Sequence, residues 1–230
     1  MNGSSILSSG TINHGVASSN LAGHTINFRK GSIMKILYLH GLGSGAGSNT
    51  ARQLANYFAN DDVEILAPEL PVMPIDAFNF ILELQKTEQP NIVIGTSLGG
   101  FYARYLHGPL KILINPAMLP TDIVKAVGYG TYSFLKPRQS GEQTYTINDT
   151  FVSQLQEIAD IQDAFIDDEM LAETFALFGT KDTVVSNYAI FKSIYRDYQA
   201  KLIDAEHRLT NENIEHELIP LIDSLRDRCV

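Results

Sequence analysis

Cysteine is nearly absent from this 230-residue chain: Cys229, next to the C-terminus, stands alone. A lone thiol closes no internal disulfide and supplies no cysteine cluster for a structural metal. No run of about 18 apolar residues occurs, which excludes a membrane-spanning helix. Basic side chains are outnumbered, 17 against 26, for a net charge of −9. So acidic a chain offers phosphates no general attraction, and no nucleic-acid partner is expected. Acidic residues are missing altogether before Asp61. Such a start fits a transit peptide, yet residues 1–33 hold only two basic residues, Arg29 and Lys30, and lack the apolar stretch of a secretory signal. Their seven Ser, five Gly and four Asn follow no helical or alternating apolar period. They read as a flexible N-terminal extension, with Met34 as a second possible start and a short strand around Thr25–Phe28 as the sole candidate element.

What is present describes a globular domain. Hydrophobic residues make up 44% and charged residues 19% of the chain, and its length is enough for a core without staples. A soluble, cytoplasmic protein is expected. From Met34 onward, β-branched runs alternate with amphipathic segments. Strands are expected at Lys35–His40, Val63–Pro68, Asn91–Thr96, Lys111–Asn115, Thr174–Gly179 and Lys201–Ala205. Helices are expected at Thr50–Ala59, 75–88, Ser97–His107, Val185–Arg196 and Asn213–Arg228. Strands apolar on both faces and separated by helices point to an α/β fold: a mostly parallel sheet of about six strands with helices on both sides. Residues 117–172 break the rhythm with three glycines, several tyrosines and an acidic helical stretch. An insertion between two core strands is a natural cap over a site, so the domain 34–230 is expected to carry a small cap at 117–172.

The sharpest motif is Gly95-Thr96-Ser97-Leu98-Gly99, followed by Gly100. A G-x-S-x-G pentapeptide alone says little. Between an apolar strand and a helix it has the context of a nucleophile elbow, whose turn leaves no room for Cβ atoms at Gly95 and Gly99. A strand–helix turn that merely needs glycines would look similar in sequence. A serine hydroxyl is a weak nucleophile and needs a base held by an acid. In elbow folds the chain order is Ser, then Asp or Glu, then His.

Three histidines follow Ser97. His107 lies at the far end of the expected helix, about 15 Å away at 1.5 Å per residue. His216 sits in the last helix between Glu215 and Glu217, as a solvated residue would. His207 follows the last strand, at the carboxyl edge where open α/β sheets build their sites. It is the expected base. Asp182 follows the fifth strand at the same edge and is the expected acid, although Asp also shapes turns and caps helices. Asp204 and Glu206 compete, but they stand too close to His207 in sequence to orient it in the usual way.

Acyl chemistry also needs donors for a developing oxyanion. The loop His40-Gly41-Leu42-Gly43-Ser44 ends the first strand and supplies an H-G-x-G pattern. The expected donors are the backbone N–H groups of Leu42 and Leu98, with His40 orienting the loop. The same glycines suggest phosphate binding, but no Gly-Lys-Ser/Thr follows and only Glu69 could serve as the acidic residue of a dinucleotide site.

With these residues in hand, the chain resembles the small bacterial α/β-hydrolases of the YqiA-type predicted serine esterase family. The resemblance covers about residues 34–215. It rests on Tyr38-Leu39-His40-Gly41-Leu42-Gly43-Ser44, Gly95–Ala103, Ile114-Asn115-Pro116-Ala117 and Phe178-Gly179-Thr180-Lys181-Asp182. It implies a serine esterase or thioesterase with the triad Ser97–Asp182–His207, no cofactor and no metal, acting on a small-molecule acyl ester or thioester. Asn115 to Pro120 and the 121–170 insertion, with Asn115, Pro116, Tyr129 and Tyr132 foremost, are expected to line the acyl pocket, and Tyr129, Tyr132, Phe134 and Leu135 to make it apolar.

Overall fold

The computed structural model describes residues 33–226 and residue 228. The expected extension, its candidate strand at Thr25–Phe28 and Cys229 lie outside the described residues, apart from Ile33. All six expected strands form, each within a few residues of its expected limits. They are β1 (Met34–Leu39), β2 (Val63–Leu66), β3 (Ile92–Thr96), β4 (Leu110–Ile114), β7 (Thr174–Gly179) and β8 (Ala200–Ile203), with a hairpin of β5 (Gly130–Ser133) and β6 (Thr144–Ile147) between β4 and β7. The six run in the order β2-β1-β3-β4-β7-β8, and every neighbouring pair is parallel.

Strand periodicity sorts the core into two layers. Ile36, Tyr38, Ile92, Ile94, Ile112, Ile114 and Leu177 face one side, where they meet α1 (Asn49–Tyr57) and the C-terminal helices. Leu37, Leu39, Val93, Leu113, Ala176 and Phe178 face the other. There they meet α2 (Pro74–Glu88), α3 (Leu98–Ala103), α5 (Asp149–Gln162) and α7 (Tyr188–Ile194). The short α4 (Asp122–Val127) and α6 (Asp168–Ala172) complete the stretch between β4 and β7. Among the described residues, no helix is long and apolar enough to cross a membrane.

Three helices differ from expectation. The helix after the elbow stops at Ala103, short of His107. Tyr105 and Leu106 close tighter turns onto the carbonyls of Tyr102 and Ala103 at 3.1 Å, and the Leu106 carbonyl is taken by Lys111 Nζ at 3.0 Å. The helix expected from Val185 starts at Tyr188, because the N–H groups of Val184 and Val185 are bound by the Asp182 carboxylate. At the C-terminus, α8 (Asn211–Asn213) and α9 (Ile219–Arg226) are joined by a π-helical stretch, Ile214–Leu218. Pro220 explains the break: it has no N–H and its ring would strike the carbonyl four residues back, which a wider turn relieves.

The 117–172 segment also divides. Phe151, Leu155 and Ile158 of α5 are fully buried in the sheet's own core, as their helical spacing allows. The β5–β6 hairpin and the loop within it reach the carboxyl edge instead. Leu135 N–H donates to Gly43 O at 2.9 Å, and Lys136 Nζ to Gly47 O at 3.0 Å.

At the opposite edge Lys111 is wholly buried. Its ammonium donates to the carbonyls of Leu106 and Pro109 at 3.0 Å each, with Glu173 at 3.7 Å. Burial, only partly offset by Glu173, pulls its pKa down to about 8. An unfolded lysine titrates near 10.5. Between pH 8 and 10.5 the unfolded chain therefore holds a proton that the folded chain has released, and stability rises with pH across that window. The buried charge costs roughly 3 kcal/mol below it. Urea unfolding at pH 7.5, 9 and 10.5 is expected to show this rise in the wild type and not in Lys111→Met; equal slopes would refute it.

Candidate active site

Strand order locates the site. The chain leaves β1 toward β2 on one side and returns to β3 on the other, so the loops after β1 and β3 face each other across a switch point. Leu39 pairs with Gly95 in register, which brings the loop at Gly41 beside Ser97. A Cβ on Gly41 would lie 3.2 Å from Ser97 Cβ and 3.8 Å from its Oγ.

The elbow closes as tightly as its glycines suggest. A Cβ on Gly99 would collide with the Leu39 carbonyl, and one on Gly95 with the Gly99 carbonyl. Ser97 is left at φ 55°, ψ −116°, a conformation that costs a residue with a side chain of order 1–3 kcal/mol. It is held there by its neighbours. Ser97 N–H donates to Ile114 O at 3.0 Å, while Ser97 O accepts from Gly100, Phe101 and Ala117. The hydroxyl makes no hydrogen bond among the described residues. Neither do the N–H groups of Leu42 and Leu98, although Leu98 is buried. Two unspent backbone donors thus flank the serine.

Asp182 and His207 meet in the loops after β7 and β8. His207 Nδ1 lies 2.8 Å from Asp182 Oδ2, and the Asp182 side chain is 2% exposed. The other carboxylate oxygen accepts from Val184 N–H at 2.7 Å and Val185 N–H at 3.0 Å. Burial opposes this charge, but the His207 bond and the two N–H groups outweigh it, so the carboxyl titrates below its ordinary value. With Nδ1 engaged, His207 is left with Nε2, which has no partner among the described residues. His107 is half exposed beside Asp167, away from this group.

His40 is committed elsewhere. Its Nδ1 bonds to Gly41 O at 2.9 Å and its Nε2 accepts from Leu70 N–H at 3.1 Å. Burial lowers its pKa, so at neutral pH the ring is uncharged, with Nδ1–H as donor. It ties the loop after β1 to the loop after β2 and has no nitrogen left to act as a base.

The expected acyl-pocket residues are placed differently. Asn115 is fully buried at φ 42°, and its amide is spent on backbone. Oδ1 accepts from Gly179 N–H at 2.7 Å; Nδ2 donates to Glu206 O and His207 O at 3.0 Å each. Nothing remains for a substrate. The Asn115 amide instead ties the loop bearing Asp182 to the loop bearing His207. Pro116 packs against Gly100, and its carbonyl is bound by Asn187. Tyr129 is exposed, and the Tyr132 hydroxyl donates to Val127 O. None of these four lines the cleft beside the oxyanion residues.

That cleft is partly open to solvent and is bounded by His40, Leu42, Leu98, Leu70, Tyr102, Phe134 and Arg138. Phe134 was expected there. Arg138 lies within the 121–170 insertion expected to line the pocket, though it was not singled out; Tyr102 and Leu70 fall outside that expectation, because a helical tyrosine reads as core. Arg138 is buried. Its guanidinium donates to Leu70 O at 2.6 Å, and its Nε lies 3.3 Å from both Glu69 and Glu142.

Comparison with known proteins follows the same lines. A model of the family described as "Uncharacterised protein family (UPF0227)" matches residues 35–225. A UPF0227 protein from Shewanella woodyi is 32% identical over 95 residues, covering 38% of this chain and 53% of that protein. The match thus spans about half the length of this curated relative. Among solved structures, mouse alpha/beta hydrolase domain-containing protein 10 is similar at a TM-score of 0.60 and 15% identity, over 88% of this chain and 93% of that one. The esterase domain of a Rhodothermus marinus protein is similar at 0.55 and 14%, over 86% and 87%. A monoacylglycerol lipase from Paleococcus ferrophilus gives 0.55 and 13%, over 84% and 94%. At these identities the likeness establishes the α/β-hydrolase fold.

Proposed function

The chain belongs to the UPF0227 family, and from the geometry above we propose that it is a serine hydrolase of carboxylic esters or thioesters. Ser97 Oγ attacks the acyl carbonyl while His207 Nε2 accepts its proton. Asp182 holds the imidazole through Nδ1 and stabilises the imidazolium as it forms. The N–H groups of Leu42 and Leu98 receive the oxyanion. Collapse of the tetrahedral intermediate breaks the bond to the alcohol or thiol, which takes the proton from His207. Water, activated by the same imidazole, then hydrolyses the acyl-enzyme and frees Ser97.

One observation carries this reading: a histidine whose Nδ1 is fixed on a buried carboxylate at 2.8 Å shares the carboxyl edge with a strained serine between two unspent N–H groups. A serine kept in that backbone without a chemical task would be replaceable by glycine at a gain.

An active-serine fluorophosphonate is the direct test. One equivalent is expected to couple to the wild-type protein, and peptide mass spectrometry is expected to find it on Ser97. Labelling at another residue, or none of the folded protein, would overturn the assignment and favour a binding protein built on a hydrolase fold.

A further inference from the structure

We propose that the cleft beside the Leu42 and Leu98 amides is a subsite for an acyl group bearing a second, uncharged oxygen, as in a short hydroxy- or oxo-acyl ester or thioester. The inference rests on the serine-hydrolase reading and narrows its substrate class.

Most of the cleft wall is apolar, from Leu42, Leu70, Leu98 and Phe134, as an acyl chain requires. Three polar side chains interrupt it: His40, whose ring nitrogens are both engaged, Tyr102 and Arg138. Tyr102 is completely buried, and its hydroxyl has no hydrogen-bond partner among the described residues. A phenylalanine would fill the same space without leaving a buried donor unpaired, and natural interiors rarely tolerate such a donor. The phenol is therefore matched by an acceptor that arrives with a ligand. Burial also raises its pKa, which keeps it an O–H donor at any working pH. Tyr102 follows Leu98 by one turn of α3, about 6 Å along the axis. The oxygen it meets consequently lies within a few bonds of the reacting carbonyl.

Arg138 decides the charge of that oxygen. A lone buried guanidinium would select a carboxylate, but Glu69 and Glu142 both lie 3.3 Å from its Nε. Glu69 is itself held ionised. Its desolvation is outweighed by the N–H groups of Gln139 and Ser140 and by the guanidinium, so its pKa is lowered. The three groups sum to one negative charge, which repels an anionic acyl tail. Arg138 Nη1, with no protein partner among the described residues, remains a second donor to a neutral oxygen.

The test compares p-nitrophenyl esters of butyrate, 3-hydroxybutyrate and succinate on the wild type and on Tyr102→Phe. Wild-type kcat/KM is expected to favour 3-hydroxybutyrate over butyrate by about tenfold, the effect of one well-made hydrogen bond, and to favour it over succinate as well. In Tyr102→Phe the first ratio is expected to fall to about one. Hydrolysis of butyrate and 3-hydroxybutyrate with equal efficiency would mean that the tyrosine holds only a water, and would overturn the subsite while leaving the hydrolase intact. A ratio unchanged by Tyr102→Phe, or a preference for succinate, would also overturn it. If no ester is turned over, calorimetry with methyl 3-hydroxybutyrate and methyl butyrate decides. Tighter binding of the former that is lost in Tyr102→Phe sustains the subsite without the hydrolase, whereas equal binding overturns both.

Discussion

Replacing Ser97 by alanine is expected to lower kcat for ester hydrolysis by on the order of 10⁴- to 10⁶-fold, the scale on which loss of a triad nucleophile acts. Whatever turnover persists would come from the two amides and from binding alone. The fold is expected to survive, because the hydroxyl makes no hydrogen bond among the described residues. Glycine at this position separates the chemistry from the backbone. Ser97→Gly removes the nucleophile and also relieves the left-handed backbone at φ 55°. The relief, less the greater freedom glycine gains when unfolded, leaves Ser97→Gly about 1 kcal/mol more stable than Ser97→Ala. Thermal unfolding of the two inactive variants reads that difference. Wild-type turnover in either would end the nucleophile assignment, and a glycine variant less stable than the alanine one would show that the elbow stores no strain.

Asn115 is expected to give the next largest effect, by a different route. Asn115→Gly keeps the backbone at φ 42° comfortable but strands the Gly179 N–H and the carbonyls of Glu206 and His207. Three unmade hydrogen bonds at about 1 kcal/mol each predict a loss of roughly 3 kcal/mol. Asp182 and His207 then ride on loops that no longer share an anchor. A misplacement of about 1 Å in such a constellation costs about 10²-fold, and the loss is expected in kcat with KM little changed. Asn115→Asp should be worse than glycine despite its matching shape. It preserves the acceptor for Gly179 but turns a carboxylate oxygen toward two carbonyls that need a donor. Wild-type stability for Asn115→Asp, or a loss confined to KM, would remove Asn115 from this role.

These two residues also mark how far sequence reading reaches. The sheet was legible because strands buried on both faces leave runs such as Ile92–Ile94 with no polar interruption. The Ser97 turn was legible because its neighbours collide with anything larger than hydrogen. Asp182 and His207 could be ordered along the chain and placed at one edge, and their mutual bond follows from the parallel pairing of β7 with β8. The Asn115 clamp had no local signal. Its partners lie 64, 91 and 92 residues away, and only the finished sheet brings them together. Tyr102 was hidden for another reason: its spacing on α3 is that of any core aromatic, and a missing hydrogen-bond partner cannot be seen in a sequence. Helix ends were misjudged where one distant or unusual group decided them, as with Lys111 at the end of α3 and Pro220 near the C-terminus.

The separation of β4 from β7 has a consequence for how the protein is made. β4 is buried along its whole length, and one of its edges waits for β7, which begins 60 residues after β4 ends. At ribosomal rates of 5–20 residues per second, roughly 3–12 s pass before that partner has been synthesised. For that time Leu110–Ile114 presents an apolar template to any other unfinished chain, and local folding cannot cover it. Demand for chaperone protection during synthesis should therefore peak between the completion of β4 and the arrival of β7.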